Sequence, residues 1–149
     1  MLTFDATLAP AIVVGDGDKI RAIIDNLLSN AIKYAPRSSP IKVDLAVEGD
    51  FAVLDVIDQG PGIEPDERPR IFESFYQGKI APAGRIKGSG LGLAIAREYA
   101  LVHGGRIEVL DRADGARGAR FRLWLPLAPG FGPAPSRAAA DTVSYEGEG

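Results

Sequence analysis

The chain of 149 residues has no cysteine, which excludes disulfides and zinc–thiolate centres and gives no sign of an oxidising compartment. Its one histidine, His103, is too few for a histidine-rich metal site. No apolar run approaches the length needed to span a bilayer, and the first residues lack the charged-then-apolar pattern of a signal peptide. These absences predict a soluble, cytoplasmic domain with no membrane contact of its own. The net charge is −3 without a basic stripe, which argues against a nucleic-acid partner. Internal repeats are missing too. What is present is an ordinary soluble composition, at a length that suits one domain with a sizeable core.

The stretch from Asp18 to Pro36 organises the rest. Ile20, Ile23, Ile24, Leu27, Leu28, Ala31 and Ile32 recur at the spacing of one helix face. Asp16 or Asp18 can cap its start, and Pro36 stops it. At roughly 100° per residue, Asn26, Asn30 and Lys33 share a narrow arc beside the apolar stripe, with Tyr34 at its edge. Arg21, Ala22, Asp25 and Ser29 point outward. Amide oxygens can ligate a hard cation, a lysine can meet phosphate, and an aromatic ring can lie against a base. Either asparagine alone reads first as an exposed amide; their shared arc with Lys33, and the stretches that follow, single them out.

Leu2 to Val14 reads as extended. Ile41 to Val47 alternates with period two, Glu48-Gly49-Asp50 turns, and Phe51 to Ile57 returns antiparallel. Leu54, Val56 and Asp58 then share one face, so Asp58 continues a buried row. Pro65 to Phe75 is short, charged and expected to be helical in part. Gly78 to Gly90 has no periodicity and carries Lys79, Arg85 and Lys87, a composition that suits a mobile loop. Leu91 to His103 is again helical, ended by Gly104-Gly105. Arg106 to Leu110 and Ala119 to Leu125 form a second hairpin. The folded domain is expected over 1–127, with 128–149 a Pro/Gly/Ala-rich disordered tail. Irregular alternation with two hairpins predicts an α+β two-layer sandwich, its mixed, mostly antiparallel sheet covered by helices on one face.

Two more stretches carry chemistry. In Asp58-Gln59-Gly60-Pro61-Gly62, a carboxylate at a strand end can accept from an exocyclic amine while glycines let a ligand approach the backbone. A strand followed by a Pro-Gly turn explains the same residues. Gly88-Ser89-Gly90-Leu91-Gly92-Leu93 leads into a helix, where exposed backbone N–H groups suit a phosphate chain. A glycine-rich hinge is the alternative there. Ile71 to Tyr76 places Phe72, Phe75 and Tyr76 before the loop, as core anchors or as the seat of a lid. His103 reads as a helix C-terminal residue, and Trp124 as packing.

In this order and spacing, the stretches resemble the ATP-binding catalytic domain of bacterial sensor histidine kinases. Asn26 to Tyr34 is similar to that family's N box, Asp58 to Gly62 to its G1 box, Ile71 to Tyr76 to its F box, and Gly88 to Leu93 to its G2 box. The resemblance covers residues 2 to 127 and implies the Bergerat fold with a flexible ATP lid at Gly78 to Lys87. It implies Mg²⁺ on Asn30, aided by Asn26, phosphate on Lys33, and Tyr34 near the adenine or ribose. Asn26, Asn30 and Lys33 are thereby the catalytic set. It gives Asp58 the adenine N6 contact, with Gly60 and Gly62 making room. Ile63, Phe72, Lys87, Gly88, Ser89, Gly90, Leu91, Gly92 and Leu93 complete the implied ATP site.

The partners implied are a helical dimerisation and histidine phosphoacceptor domain and a response-regulator receiver domain. The intact protein is compatible with an inner-membrane anchor that leaves this domain cytosolic. Two departures bear on mechanism. Related hydrolysing ATPases carry a glutamate where Asn26 stands, and an amide cannot serve as that general base. This favours phosphoryl transfer over a chaperone-like ATPase switch of the same fold. Many family members have an arginine at the position of Gln77, so Arg85 or Lys87 would have to replace it.

Overall fold

The computed structural model describes residues 3–8, 11–74 and 91–130, the first of these segments by backbone alone. Helix α1 is Gly17–Tyr34. Asp16 caps it, Oδ1 accepting from the backbone N–H of Asp18 at 3.0 Å and of Lys19 at 3.3 Å. The helix ends one residue ahead of the Ala35-Pro36 pair, as the restriction on a residue before proline dictates. Ile23, Leu27 and Ala31 are its fully buried positions, while Arg21, Asp25 and Ser29 are exposed.

Strands β1 (Thr3–Leu8), β2 (Pro40–Glu48), β3 (Phe51–Ile57), β4 (Arg106–Leu110) and β5 (Arg120–Pro126) form one sheet in the order β1-β2-β3-β5-β4. β1 runs parallel to β2, with α1 as the crossover, and the other pairings are antiparallel. Gly49 opens the two-residue β2–β3 loop with φ +59°, a conformation that glycine adopts without steric cost. Helix α2 (Gly92–Val102) ends in a glycine motif. Gly104, at φ +77°, donates its N–H to Leu101 O, and Gly105 donates to Ala100 O.

Helices and sheet enclose one core. Ile23, Leu27 and Ala31 of α1 and Ala96 and Ala100 of α2 pack with Ile41, Leu54, Val56, Ile107, Phe121, Leu123 and Leu125 of the sheet. The opposite sheet face is covered by its own side chains. Arg122 forks onto Asp55 at 2.8 and 2.9 Å, and the Arg106 guanidinium lies 4.3 Å from the centre of the Trp124 ring. Beneath them Val53 and Asp55 are buried. The α+β two-layer reading therefore holds, including the mixed character of the sheet.

Residues 64–73 differ from the partly helical expectation. They form successive turns, with bonds of three-residue span from Glu67 N to Glu64 O, Arg70 N to Glu67 O and Glu73 N to Arg70 O. One bond of helical span joins Ile71 N to Glu67 O. Prolines at 65 and 69 remove two donors that a regular helix would use. At the other end, Leu127 bridges Val13, and Ala128 N donates to Ile12 O at 2.7 Å. Residues 131–149 lie outside the described residues. No helix among the described residues is long and apolar enough to cross a membrane.

Phe121 is fully buried and meets Phe72 edge to face at 6.5 Å between ring centres. Phe121→Ala should cost about 3–5 kcal/mol of stability, read from urea denaturation. A loss within the range of ordinary surface substitutions would contradict this account of the core.

Candidate functional site

The core dictates where the polar arc of α1 stands. With Ile23, Leu27 and Ala31 turned onto the sheet, Asn26, Asn30, Lys33 and Tyr34 fall at the rim, each half-buried. The Lys33 ammonium lies 5.9 Å from the Tyr34 ring centre, in the last turn, where the helix dipole favours a cation.

Two other elements close on this arc. At the start of α2, a Cβ on Gly92 would stand 3.1 Å from Asn26 Oδ1, so the N-terminus of that helix abuts the asparagine. Leu91 supplies no side-chain cap there, and the first turn of α2 contains no acid. No acidic side chain in that turn offsets the positive end of the helix dipole, which favours an anion. At the other end of the arc, a Cβ on Gly60 would stand 2.6 Å from Tyr34 O. The turn after β3 thus sits directly on the C-terminus of α1.

Asp58 occupies that turn and is 2 % exposed. It follows Leu54 and Val56 on the inward face of β3, which is why a carboxylate ends up inside. Its N–H donates to Ala119 O at 3.0 Å, and Oδ1 accepts from Gly60 N at 2.8 Å and Ala119 N at 3.3 Å. Burial pushes the carboxyl above its ordinary value; the two backbone N–H groups and the Arg112 charge pull against that shift without cancelling it. The Tyr34 hydroxyl is also raised, first by burial and then by Glu67. Gly62, at φ +80°, faces Gly118 O, where a Cβ would come within 3.1 Å.

The structure thus brings Asn26 to Gly92, and Asp58 and Gly60 to the end of α1 at Tyr34, while Gly62 stands against Gly118 of the β4–β5 loop. Ile63, Phe72 and Leu93 are half-buried and pack against the core. Phe72 and Leu91 also line a cleft of about 340 Å³ with Ser74, Ala94 and Ile95. Lys87, Gly88, Ser89 and Gly90 lie outside the described residues, as do Phe75, Tyr76, Gln77, Arg85 and the expected lid at Gly78 to Lys87.

Arg112, Gly118, Ala119 and Glu67 carry no motif or periodicity that marks them as site residues. The glycine at 118, two residues before β5, was the available signal. A Cβ there would fall 2.0 Å from Asp58 O. His103 is more than a helix end. Its Nδ1 lies 2.7 Å from Tyr99 O, and Nε2 accepts from Asp16 N at 3.0 Å, joining the end of α2 to the start of α1.

Because Asp58 holds its proton more tightly when folded, its contribution to stability is present below the ordinary carboxylate range and is lost as pH rises through the raised value. Asp58→Asn keeps an acceptor for Gly60 N–H but carries no buried charge. The ligand-free variant should therefore melt above wild type at neutral pH, with the gap closing in acid. Thermal melts over a pH series check this, and a wild type that gains on the variant as pH rises would contradict it.

Residues 15–129 match the family model described as histidine kinase-, DNA gyrase B-, and HSP90-like ATPase. The sensor protein KdpD of Escherichia coli K12 is 44% identical over 111 residues, which is 74% of this chain and 12% of KdpD. The histidine-protein kinase/phosphatase MprB of Mycobacterium avium is 39% identical over 129 residues, 85% of this chain and 24% of MprB. A solved structure of the mycobacterial sensor histidine kinase MprB is similar with a TM-score of 0.77 and 36% identity, over 86% of this chain and 85% of that one. Full-length ShkA in complex with AMPPNP gives a TM-score of 0.71 and 31% identity, over 93% of this chain and 28% of ShkA. The chain spans well under a third of the length of KdpD or MprB. It belongs to the histidine kinase-, DNA gyrase B- and HSP90-like ATPase family, as a catalytic domain of the sensor histidine kinase kind.

Proposed function

We propose that this domain, residues 1–127, binds Mg-ATP along α1 and supplies the γ-phosphoryl group to a histidine on a separate dimerisation and phosphoacceptor domain of the same kinase. The observation that carries the reading is that one helix touches both of the other candidate stretches. Its C-terminus supports the buried Asp58, and its middle meets the N-terminus of α2 at Gly92.

Among the described residues, the two backbone donors to the Asp58 carboxylate both end on Oδ1. Oδ2 is then the oxygen that accepts from the adenine N6 amine; guanine presents a carbonyl at that position and would be repelled. Tyr34 stands beside the base or ribose. Lys33 meets phosphate, and the leading N–H groups of α2, with those of Gly88, Ser89 and Gly90, hold the chain of phosphates.

Asn30, helped by Asn26, would hold magnesium. Their fit rests on the donor set: neutral amide oxygens suit a hard cation whose other ligands are phosphate oxygens. Among the described residues, no group of three His, Cys, Asp or Glu could hold a metal ion unaided. When bound, magnesium offsets charge on the transferring phosphoryl group. Asn26 cannot act as a general base toward water, which supports transfer to a side chain. His103 is a poor candidate for the acceptor, because both its ring nitrogens are hydrogen-bonded to the backbone, at Tyr99 O and Asp16 N. The acceptor domain, a receiver domain downstream and a cytosolic position follow from the same reading, as does replacement of the Gln77 function by Arg85 or Lys87.

The test is calorimetric titration of a non-hydrolysable ATP analogue with Mg²⁺, beside Asp58→Asn and Asn30→Ala. Saturable 1:1 binding is expected, weakened about tenfold to a hundredfold in Asp58→Asn. Asn30→Ala should lose the part of the affinity that chelation of magnesium also removes. Absence of binding by wild type, or equal binding of a guanine analogue, would overturn the proposal. Steady multiple-turnover hydrolysis by the isolated domain would instead favour the ATPase-switch reading.

A further inference from the structure

The loop between β4 and β5, residues 111–119, contains an arginine that no part of the nucleotide reading uses. Arg112 is 16 % exposed in its side chain, unusually low for a loop arginine. Its Nε donates to Asp114 Oδ1 at 3.0 Å and Nη2 donates to Asp114 Oδ2, a fork-to-fork pair. Nη1 donates to Arg117 O at 3.2 Å and reaches Asp58 O at 3.5 Å. One guanidinium therefore ties together two residues of the loop, Asp114 and Arg117, and extends to the main chain of the buried carboxylate.

What it gathers matters, because the end of this loop is what grips Asp58. Ala119 exchanges hydrogen bonds with Asp58 through both its N–H and its C=O, and Gly118 packs against Asp58 O so closely that no Cβ fits. Ala119 has no polar side chain to hold itself in place; the Arg112 fork holds the loop together with the Ala116 N–H on Asp114 Oδ1 and Arg120 Nε on Asp111 O, and of these only the fork also reaches the Asp58 main chain.

We propose that Arg112 is a positioning residue for nucleotide recognition: fixed by Asp114, it holds the β4–β5 loop on the Asp58 main chain and sets the orientation and charge of the carboxylate that reads the base. This rests on the reading of Asp58 as the base contact. Among the described residues, the charged and titratable groups that face this corner are Arg112, paired with Asp114, from the loop, Tyr34 from α1, and Glu67 from the turns at 64–73, which acts on Tyr34. Arg112 is the cation among them that acts on the carboxylate, and it opposes the effect of burial. The guanidinium thus has two separable actions, one through its charge and one through its fork.

The experiment titrates a non-hydrolysable ATP analogue with Mg²⁺ into wild type, Arg112→Gln, Arg112→Lys, Asp114→Asn and Asp58→Asn, from about pH 5 to about pH 8. Wild-type binding should weaken in acid as Asp58 takes up a proton, and Asp58→Asn should lack that dependence. Arg112→Gln should bind about threefold to tenfold more weakly at neutral pH, with its acid-side loss displaced to higher pH. Arg112→Lys keeps the charge but not the fork. It should leave the pH profile where it is and weaken binding throughout. Asp114→Asn, on an exposed partner, should act in the same direction as Arg112→Lys and carries the test if Arg112→Gln does not fold. Wild-type affinity and an unmoved profile in Arg112→Gln would overturn this inference and leave the Asp58 reading standing. A uniform loss that follows a lowered melting temperature, with the profile unmoved, would also overturn it, by making Arg112 a loop staple alone. If Asp58→Asn binds as wild type does, the Asp58 reading fails and this inference with it.

Discussion

Three side chains on α1 must be kept from water, and that requirement sets the site. Ile23, Leu27 and Ala31 lie one turn apart along a single line and are fully or almost fully buried. Each of the larger two contributes about 1.5–3 kcal/mol by leaving solvent, so rotating the helix would forfeit several kcal/mol. With the rotation fixed, Asn26, Asn30, Lys33 and Tyr34 have no freedom to face elsewhere. The polar arc is thus held by apolar neighbours, and it needs no contact of its own to be oriented.

The position of α1 along its axis is fixed separately. α2 lies antiparallel against it, and Ala96 and Ala100, both fully buried, let the two backbones approach. At one end His103 of α2 accepts from the N–H of Asp16, the residue that caps α1. At the other end Gly92 abuts Asn26. Gly15 is part of the first contact, since a Cβ there would meet the His103 ring at 2.3 Å. A sliding of one helix on the other would break the first contact and open the second. The phosphate end of the proposed site is therefore tied to a hydrogen bond at the opposite end of the helix pair.

The sequence made the periodic parts legible. The spacing in α1 and the alternation in β2 predicted their elements to within a residue or two, because burial on one side imposes a period that the residues must follow. Asp58 was legible for the same reason, as the next inward position after Leu54 and Val56. The turns at 64–73 were misjudged because charged residues between prolines carry no period that separates a helix from consecutive turns. Arg112 could not be found by periodicity. Its partners are the carbonyl of Arg117, the side chain of Asp114 and the backbone of a residue far away in sequence, and such contacts are set by loop geometry.

The choice of amides on α1 has a physical consequence. The chain is net negative and has no basic stripe, so its overall field does not draw a triphosphate in. The outer face of the sheet adds little, since Arg122 is committed to Asp55 and Arg120 lies 3.6 Å from the same carboxylate. Carboxylates at positions 26 and 30 would bind a metal more tightly, but they would add negative charge where the proposed ligand is most negative. Asparagine supplies oxygen without charge. Such a site holds magnesium weakly by itself and strongly once phosphate oxygens share the ion. In the proposed site, metal and nucleotide would then arrive together. An asparagine at position 26 suits the proposed site to handing a phosphoryl group onward, because an amide cannot activate water as a carboxylate there would.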